Sequence, residues 1–268
     1  KVLQFFDTPH IHWPETIMTF ERESGTLFSC DGFGSYGTRE GVYFDDQLSP
    51  EQKDFFLDEA LRYYANIVAS FSTFVTKAIA ELSELDIKVV APSHGVIWRS
   101  EPQTIIDAYA RFASYLKGPA EPEITLIWSS MYGNTRRIAA EIEHTVREAG
   151  MPVHVHQVPQ DHVGEIIASA WRSSALILGM PTYEYQMFPP MAWGLDMFRR
   201  KKVFNKKILR FGSAGWSGGA QRELDSITEK MKWNFLEPIE WFGTPRQEQF
   251  DTAAQRTLEL IKSVRTEA

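Results

Sequence analysis

Apolar and polar positions alternate in short runs near the start of the chain: "VLQFFDT", "TIMTFE" and "TLFSCD", each bounded by Pro or Gly turns, predict three strands. The period then lengthens. "SPEQ" places Ser49 as an N-cap, Pro50 at the first helical position and Gln52 to close a capping box. Phe55, Phe56, Ala60, Leu61, Tyr64 and Ile67 follow as a buried stripe, with an interruption expected near "SFST". "IKVVAPSHG" reads as a strand ending at His94, and "TIIDAYARFASYLK" as a further helix. The Pro-, Gly- and charge-rich "KGPAEPE" (117 to 123) then reads as a linker, dividing the chain into domains 1–118 and 119–268.

Beyond the linker the pattern changes. Five strand-like runs, "ITLIWS", "VHVHQV", "ALILGM", "KILRFGS" and "IEWFG", are each followed by a helical pattern. Such alternation predicts an α/β doubly wound domain, a parallel sheet covered on both faces. Ligands of such sheets belong in the loops that leave the carboxyl ends of the strands.

Composition bounds this picture without redirecting it. At 268 residues, 43% hydrophobic and 24% charged, the chain has room for two globular domains. A net charge of −7 disfavours nucleic-acid binding, which needs clustered cations. The basic run "FRRKKVFNKK" is the exception, read as a solvated helix end and loop. Cys30 is the single cysteine, so no internal disulfide exists and a reducing, cytoplasmic setting is the default. No apolar run is long enough to span a membrane. An aromatic share of 13% fits an interface or a planar ligand as well as it fits a core.

Three loops of the second domain carry candidate chemistry. "SSMYGNT" (129 to 135) offers hydroxyls, an amide and fresh helix-terminal N–H groups, a neutral cradle for phosphate. It lacks the Lys of a nucleotide-hydrolysing loop and the glycine triplet of dinucleotide binders. "GMPTYEYQMFPP" and "FGSAGWSGG" supply aromatics and open backbone at the same sheet edge. Over about 123 to 268 the chain thereby resembles flavodoxins. The resemblance implies a five-stranded sheet of order 2-1-3-4-5 and an FMN whose phosphate is held by Ser130, Met131, Tyr132, Asn134 and Thr135, with Gly133 in the same loop. Pro181, Thr182 and Tyr183 would contact one side of the ring, and Ser213, Ala214, Gly215 and Trp216 the other, with Gly218 closing that loop. Glycines on both sides of Trp216 favour a loop tip over a core position. His154 and His156 share a strand face but have no third donor near in sequence, so they are read as edge-strand residues rather than a metal pair.

In the first domain, His12, Asp31 and His94 each fall at a strand end or just after it. His-Trp-Pro, then "LFSCDGFG", then "PSHGVIWR", joined to a flavodoxin module, closely resembles the flavodiiron proteins, or A-type flavoproteins. That resemblance covers nearly the whole chain. It implies the C-terminal half of a metallo-β-lactamase-like αββα domain ahead of the flavodoxin domain. By the family pattern His12 ligates one iron, Asp31 bridges two non-haem irons and His94 ligates the other. His10 matches no ligand position, Cys30 should face away from Asp31, and Trp13 is the aromatic the family turns toward the flavin.

The family's upstream His-x-Glu-x-Asp-His segment is not found in these residues. Three ligands cannot hold two irons, so the missing half is expected as a second polypeptide, or as a segment removed. The implied activity is an oxidoreductase in which reduced FMN feeds a diiron site that reduces dioxygen to water or nitric oxide to nitrous oxide. The implied partners are an electron donor, a rubredoxin-like protein or a reduced cofactor, and a second copy in a head-to-tail dimer. The alternative is a flavodoxin-like electron carrier whose amino-terminal module only docks, and iron content separates the two. A hydrolase reading is weaker, since a flavin domain gives hydrolysis no advantage.

Overall fold

A computed structural model describes residues 1–267 and divides the chain into two compact units, Lys1–Leu116 and a second that begins at Lys117. Among the described residues no helix is long and apolar enough to cross a membrane.

The first unit is built on a four-stranded sheet, β1 (Leu3–Asp7), β2 (Ile17–Glu21), β3 (Thr26–Cys30) and β4 (Val89–Pro92), in that spatial order. The first three strands are antiparallel neighbours and β4 runs parallel to β3. Met18, Phe20, Leu27 and Val90 are buried on one face. The alternating positions Leu3, Phe5, Ile17 and Phe28 remain about half exposed, so this sheet is apolar on both faces and covered on one.

Between β3 and β4 lie α1 (Pro50–Tyr63) and α2 (Ser72–Leu82), and α3 (Pro102–Ser114) follows β4. The Ser49–Gln52 capping box is present as expected. The interruption begins slightly earlier than "SFST": Tyr64–Val68 is π-helical and Ala69–Phe71 is a 3-10 turn. Phe55 departs from the expected stripe and stays half exposed, the buried positions being Phe56, Ala60, Leu61 and Tyr63. β4 stops at Pro92, leaving His94 in the loop rather than on the strand.

In the second unit, β5 (Glu121–Trp128), α4 (Asn134–Glu148), β6 (Val153–Gln157), α5 (Val163–Arg172) and β7 (Ser173–Gly179) are followed by a two-stranded hairpin, β8 (Thr182–Tyr183) and β9 (Gln186–Met187). Then come α6 (Pro189–Lys201), β10 (Lys207–Ala214), α7 (Ala220–Thr228), β11 (Asn234–Phe235), β12 (Ile239–Phe242) and α8 (Gln247–Glu267). The parallel sheet runs β6-β5-β7-β10, with β11 and β12 both pairing β10 beyond it. That is the 2-1-3-4-5 order, with the fifth position split into two short strands. The inner strands β7 and β10 are buried almost throughout while the edge strand β6 is half exposed along its length.

The run 198–207 is not wholly solvated: Lys206 is 2% exposed and its Nζ donates to the Trp171 and Ser173 carbonyl oxygens, each at 2.7 Å, where α5 ends. Arg199 and Arg200 do sit on the exposed last turn of α6, paired with Asp196. The rings of His154 and His156 are engaged separately, by Glu123 Oε2 at 2.8 Å and Ser169 Oγ at 2.9 Å, and do not make a metal pair.

Candidate functional site

The first unit gathers His12, Asp31 and His94. Ser29 sets the turn after β3, its hydroxyl donating to the Gly32 carbonyl at 2.6 Å, and so presents the buried Asp31 carboxylate. The loops carrying Asp31 and His94 are tied by Ser93 N–H to Cys30 O (2.7 Å) and Ser35 N–H to His94 O (3.3 Å). Gly95 has φ +84°, and a Cβ there would come 2.0 Å from Ser35 Oγ, so only Gly permits this approach. The His12 loop is closed by Thr16, whose hydroxyl accepts from Trp13 N–H at 3.1 Å and donates to Trp13 O at 2.9 Å.

Asp31 Oδ1 lies 3.2 Å from His94 Nε2, and Oδ2 lies 3.5 Å from His12 Nδ1. His12 Nδ1 is buried with no hydrogen-bond partner among the described residues. A buried nitrogen lone pair or N–H left unused is costly, and a metal ion is one group that would satisfy it. The three donors are not a closed site: no group of three or more His, Cys, Asp or Glu among the described residues is arranged to hold a metal by itself. Tyr63 packs 5.9 Å from the His94 ring, and burial, with the Asp31 charge adding to it, pushes its phenol above the usual range. His10 points elsewhere, stacked on Phe71 at 5.2 Å and edge-on to Phe74 at 4.8 Å. Cys30 is exposed, as expected of a neighbour facing away from Asp31, and Trp13 is 60% exposed.

In the second unit, the three expected loops meet at the carboxyl edge of the sheet around a cleft of about 260 Å³. Met131, Tyr132 and Asn134 line it from the first loop, Pro181, Thr182 and Tyr183 from the second, and Ser213, Ala214, Gly215 and Trp216 from the third. Trp216 is 80% exposed, a loop tip rather than a core residue.

Ser130, Gly133, Thr135 and Gly218 do not line the cleft wall. Ser130 Oγ accepts from Gly133 N–H at 3.0 Å, and Gly133 turns the chain into α4 with φ +87° and no side-chain cap. That leaves helix-terminal N–H groups for an anion. Thr135 is fully buried, and its Oγ1 and the Ser129 Oγ are buried without hydrogen-bond partners among the described residues. Two orphaned hydroxyls beside an uncapped helix start suit a phosphate. Gly218 rests instead against Glu240, whose Oε1 would lie 2.2 Å from a Cβ at that position.

Sequence reasoning missed Glu184, Tyr185, Ser217 and Gly243, which also line the cleft. Glu184 (φ 47°) and Tyr185 (φ 63°) form the two-residue turn between β8 and β9, both left-handed. The usual signal, Asn-Gly or Asp-Gly, is absent. Instead the turn is held from outside: Met187 N–H donates to Glu223 Oε2 at 2.6 Å, and Tyr185 O packs where only a Gly, Gly219, leaves room.

Residues 1–95 match the ODP family beta lactamase and residues 126–256 match flavodoxin. The anaerobic nitric oxide reductase flavorubredoxin of Aeromonas hydrophila is 35% identical over 247 residues, covering 87% of this chain and 48% of that protein. The nitric oxide reductase of Moorella thermoacetica is 32% identical over 270 residues, covering 98% of this chain and 64% of that protein. The crystal structure of the flavodiiron protein from Giardia intestinalis superimposes with a TM-score of 0.91 at 25% identity, over 99% of this chain and 64% of that one. The chain thus spans about half to two thirds of the length of the relatives it matches.

Proposed function

We propose an oxidoreductase function from the premise that this chain belongs to the flavodiiron proteins, a β-lactamase-like domain followed by a flavodoxin domain. The second unit binds FMN, and the first contributes His12, Asp31 and His94 to a non-haem diiron site. When bound, the flavin and the irons would supply the electrons that reduce nitric oxide to nitrous oxide, or dioxygen to water. The observation that carries this reading is the Asp31 carboxylate set between two imidazoles, one with a buried nitrogen that has no hydrogen-bond partner among the described residues.

The chain's own residues then have defined tasks. Asp31, with one oxygen toward each ring, keeps the two imidazoles within reach of a common centre. Thr135, Ser129 and the start of α4 anchor a phosphate, while the exposed rings of Tyr132, Tyr183 and Trp216 border the space for a flat ring. The remaining metal ligands come from sequence outside these 268 residues, in the same polypeptide or a separate one. We assign the apolar outer face at Leu3, Phe5, Ile17 and Phe28 to packing against that segment. A rubredoxin-like donor or a reduced cofactor supplies electrons, and a head-to-tail dimer brings flavin and irons together across subunits.

The test is to express the chain with the segment that completes the site and to assay FMN, iron and nitric oxide or dioxygen reduction in one preparation. FMN should be bound with or without that segment, and iron and reductase activity should rise together when it is present. FMN without iron or reductase activity would favour the simple electron carrier. Mixed dimers of a subunit disabled in FMN binding and one disabled at His94 should retain activity if electrons cross between subunits.

A further inference from the structure

Arg210 lies in β10, three residues before Ser213 of the cleft, and is completely buried. Its Nη1 is 2.5 Å from Glu240 Oε2 on β12, and its Nη2 is 3.4 Å from the Met180 carbonyl oxygen. Met180 is the residue from which the Pro181–Tyr183 side of the cleft departs. Glu240 reaches the other side, because the Gly218 backbone of the Trp216 loop rests against its second carboxylate oxygen. The chain is also drawn close at Gly212, the register partner of Glu240, where a Cβ would be 1.8 Å from Met180 O.

We propose that Arg210 and Glu240 are positioning residues, a cross-brace from Met180 to Gly218 that sets the gap between the two loops of the flavin cleft. The inference rests on the FMN reading above. Fold stability alone gives little reason for this arrangement. A buried ion pair is a weak stabiliser compared with apolar packing of similar volume. This one is also incompletely satisfied, since Arg210 Nε is buried without a hydrogen-bond partner among the described residues. Burial depresses the guanidinium pKa and the Glu240 charge opposes that, so the carboxylate is what keeps a cation comfortable there. Both ends of the brace touch backbone of the segments that form the cleft, at the Met180 carbonyl and at Gly218. An element that joins two ligand loops and costs desolvation is one whose work is geometric.

The test uses the full chain and four variants, Glu240→Gln, Glu240→Ala, Gly218→Ala and the double Gly218→Ala/Glu240→Ala, with circular dichroism and thermal melts to confirm folding. FMN affinity is read by fluorescence quenching and the midpoint potential of bound FMN by reductive titration. Glu240→Gln should weaken FMN by about tenfold, the scale of one lost charge-assisted hydrogen bond transmitted to the cleft. It should also move the potential upward, because the buried guanidinium loses its counter-charge. Gly218→Ala should weaken FMN in the wild-type background and much less once Glu240 is truncated, since the clash is with that carboxylate. A folded Glu240→Gln with wild-type affinity and potential, or additive effects in the double variant, overturns the brace and leaves FMN binding standing. A wild-type chain that binds no FMN overturns both.

Discussion

Asp31 offers one carboxylate oxygen to each of two histidines, Oδ1 to His94 Nε2 at 3.2 Å and Oδ2 to His12 Nδ1 at 3.5 Å, and the His12 nitrogen has no hydrogen-bond partner among the described residues. If this is half of a metal pair, Asp31→Ala in the completed protein abolishes the paired site, because a metal set with an unfilled bridge loses affinity for both ions. His10→Ala, which loses only ring contacts with Phe71 and Phe74, should keep its iron and lose about 1 kcal/mol of stability. Metal analysis of the two variants separates them, and iron retained by Asp31→Ala would move the ligands elsewhere.

Thr135→Ala and Asn134→Ala should each weaken FMN by roughly fivefold to tenfold, the loss of one neutral hydrogen bond of about 1 kcal/mol. Thr135→Ala should do so without destabilising the free protein, since the buried hydroxyl has no partner to lose. Comparing thermal melts with and without added FMN checks this: only the FMN-dependent gain in stability should shrink.

Asp45 closes the entry to α3. Its buried carboxylate accepts from the backbone N–H groups of Arg99 (2.9 Å), Ser100 (3.0 Å) and Glu101 (2.8 Å), where Glu101 as N-cap provides no side-chain bond. Burial raises the carboxyl pKa, but the three N–H donors and Lys53 outweigh it and the net shift is downward. A group depressed on folding contributes stability that is present above its unfolded value near 3.8 and is lost as pH falls through the folded one. Asp45→Asn should cost ~2–3 kcal/mol near neutral pH and flatten the acid limb of a stability–pH profile measured by denaturant unfolding.

Lys206 predicts the opposite limb. Burial pulls its ammonium down to about 7 from the ordinary 10.5. Between those values the unfolded chain binds more protons than the folded one, so unfolding free energy should rise with pH over that window. Lys206→Met, which keeps the stem and removes the charge, should remove the slope. Urea titrations at the two ends of the window measure it.

Much of the fold and of the candidate site is legible in the sequence. The Ser49 capping box, the apolar run Ala175–Leu178 of β7, and the placement of Asp31 and Trp216 follow from local rules of capping, period and turn chemistry. What escaped was set by tertiary contact. Nothing local marks Asp45 as the cap of a helix that starts at Pro102, since its partners lie more than fifty residues away. Lys206 sits in a run of cations that reads as solvated, and only the end of α5 makes a site for it. Glu184 and Tyr185 are poor residues for a left-handed turn, so the hairpin they form depends on Glu223 and Gly219. Split pairing of β11 and β12 on β10 likewise leaves no period in a two-residue strand.

The measurement closest to the central claim is anaerobic stopped-flow mixing of the reduced, FMN- and iron-loaded protein, completed with the segment carrying the remaining ligands, against nitric oxide and dioxygen. Asp31→Ala, retaining FMN and lacking iron, is mixed in parallel. The wild-type flavin should be oxidised in step with reduction of the gas, and Asp31→Ala should slow this by about 100-fold or more, as loss of a metal centre does. Equal flavin oxidation rates in the two proteins would contradict it, and would leave the chain an FMN electron carrier with no part for His12, Asp31 and His94 in the reaction.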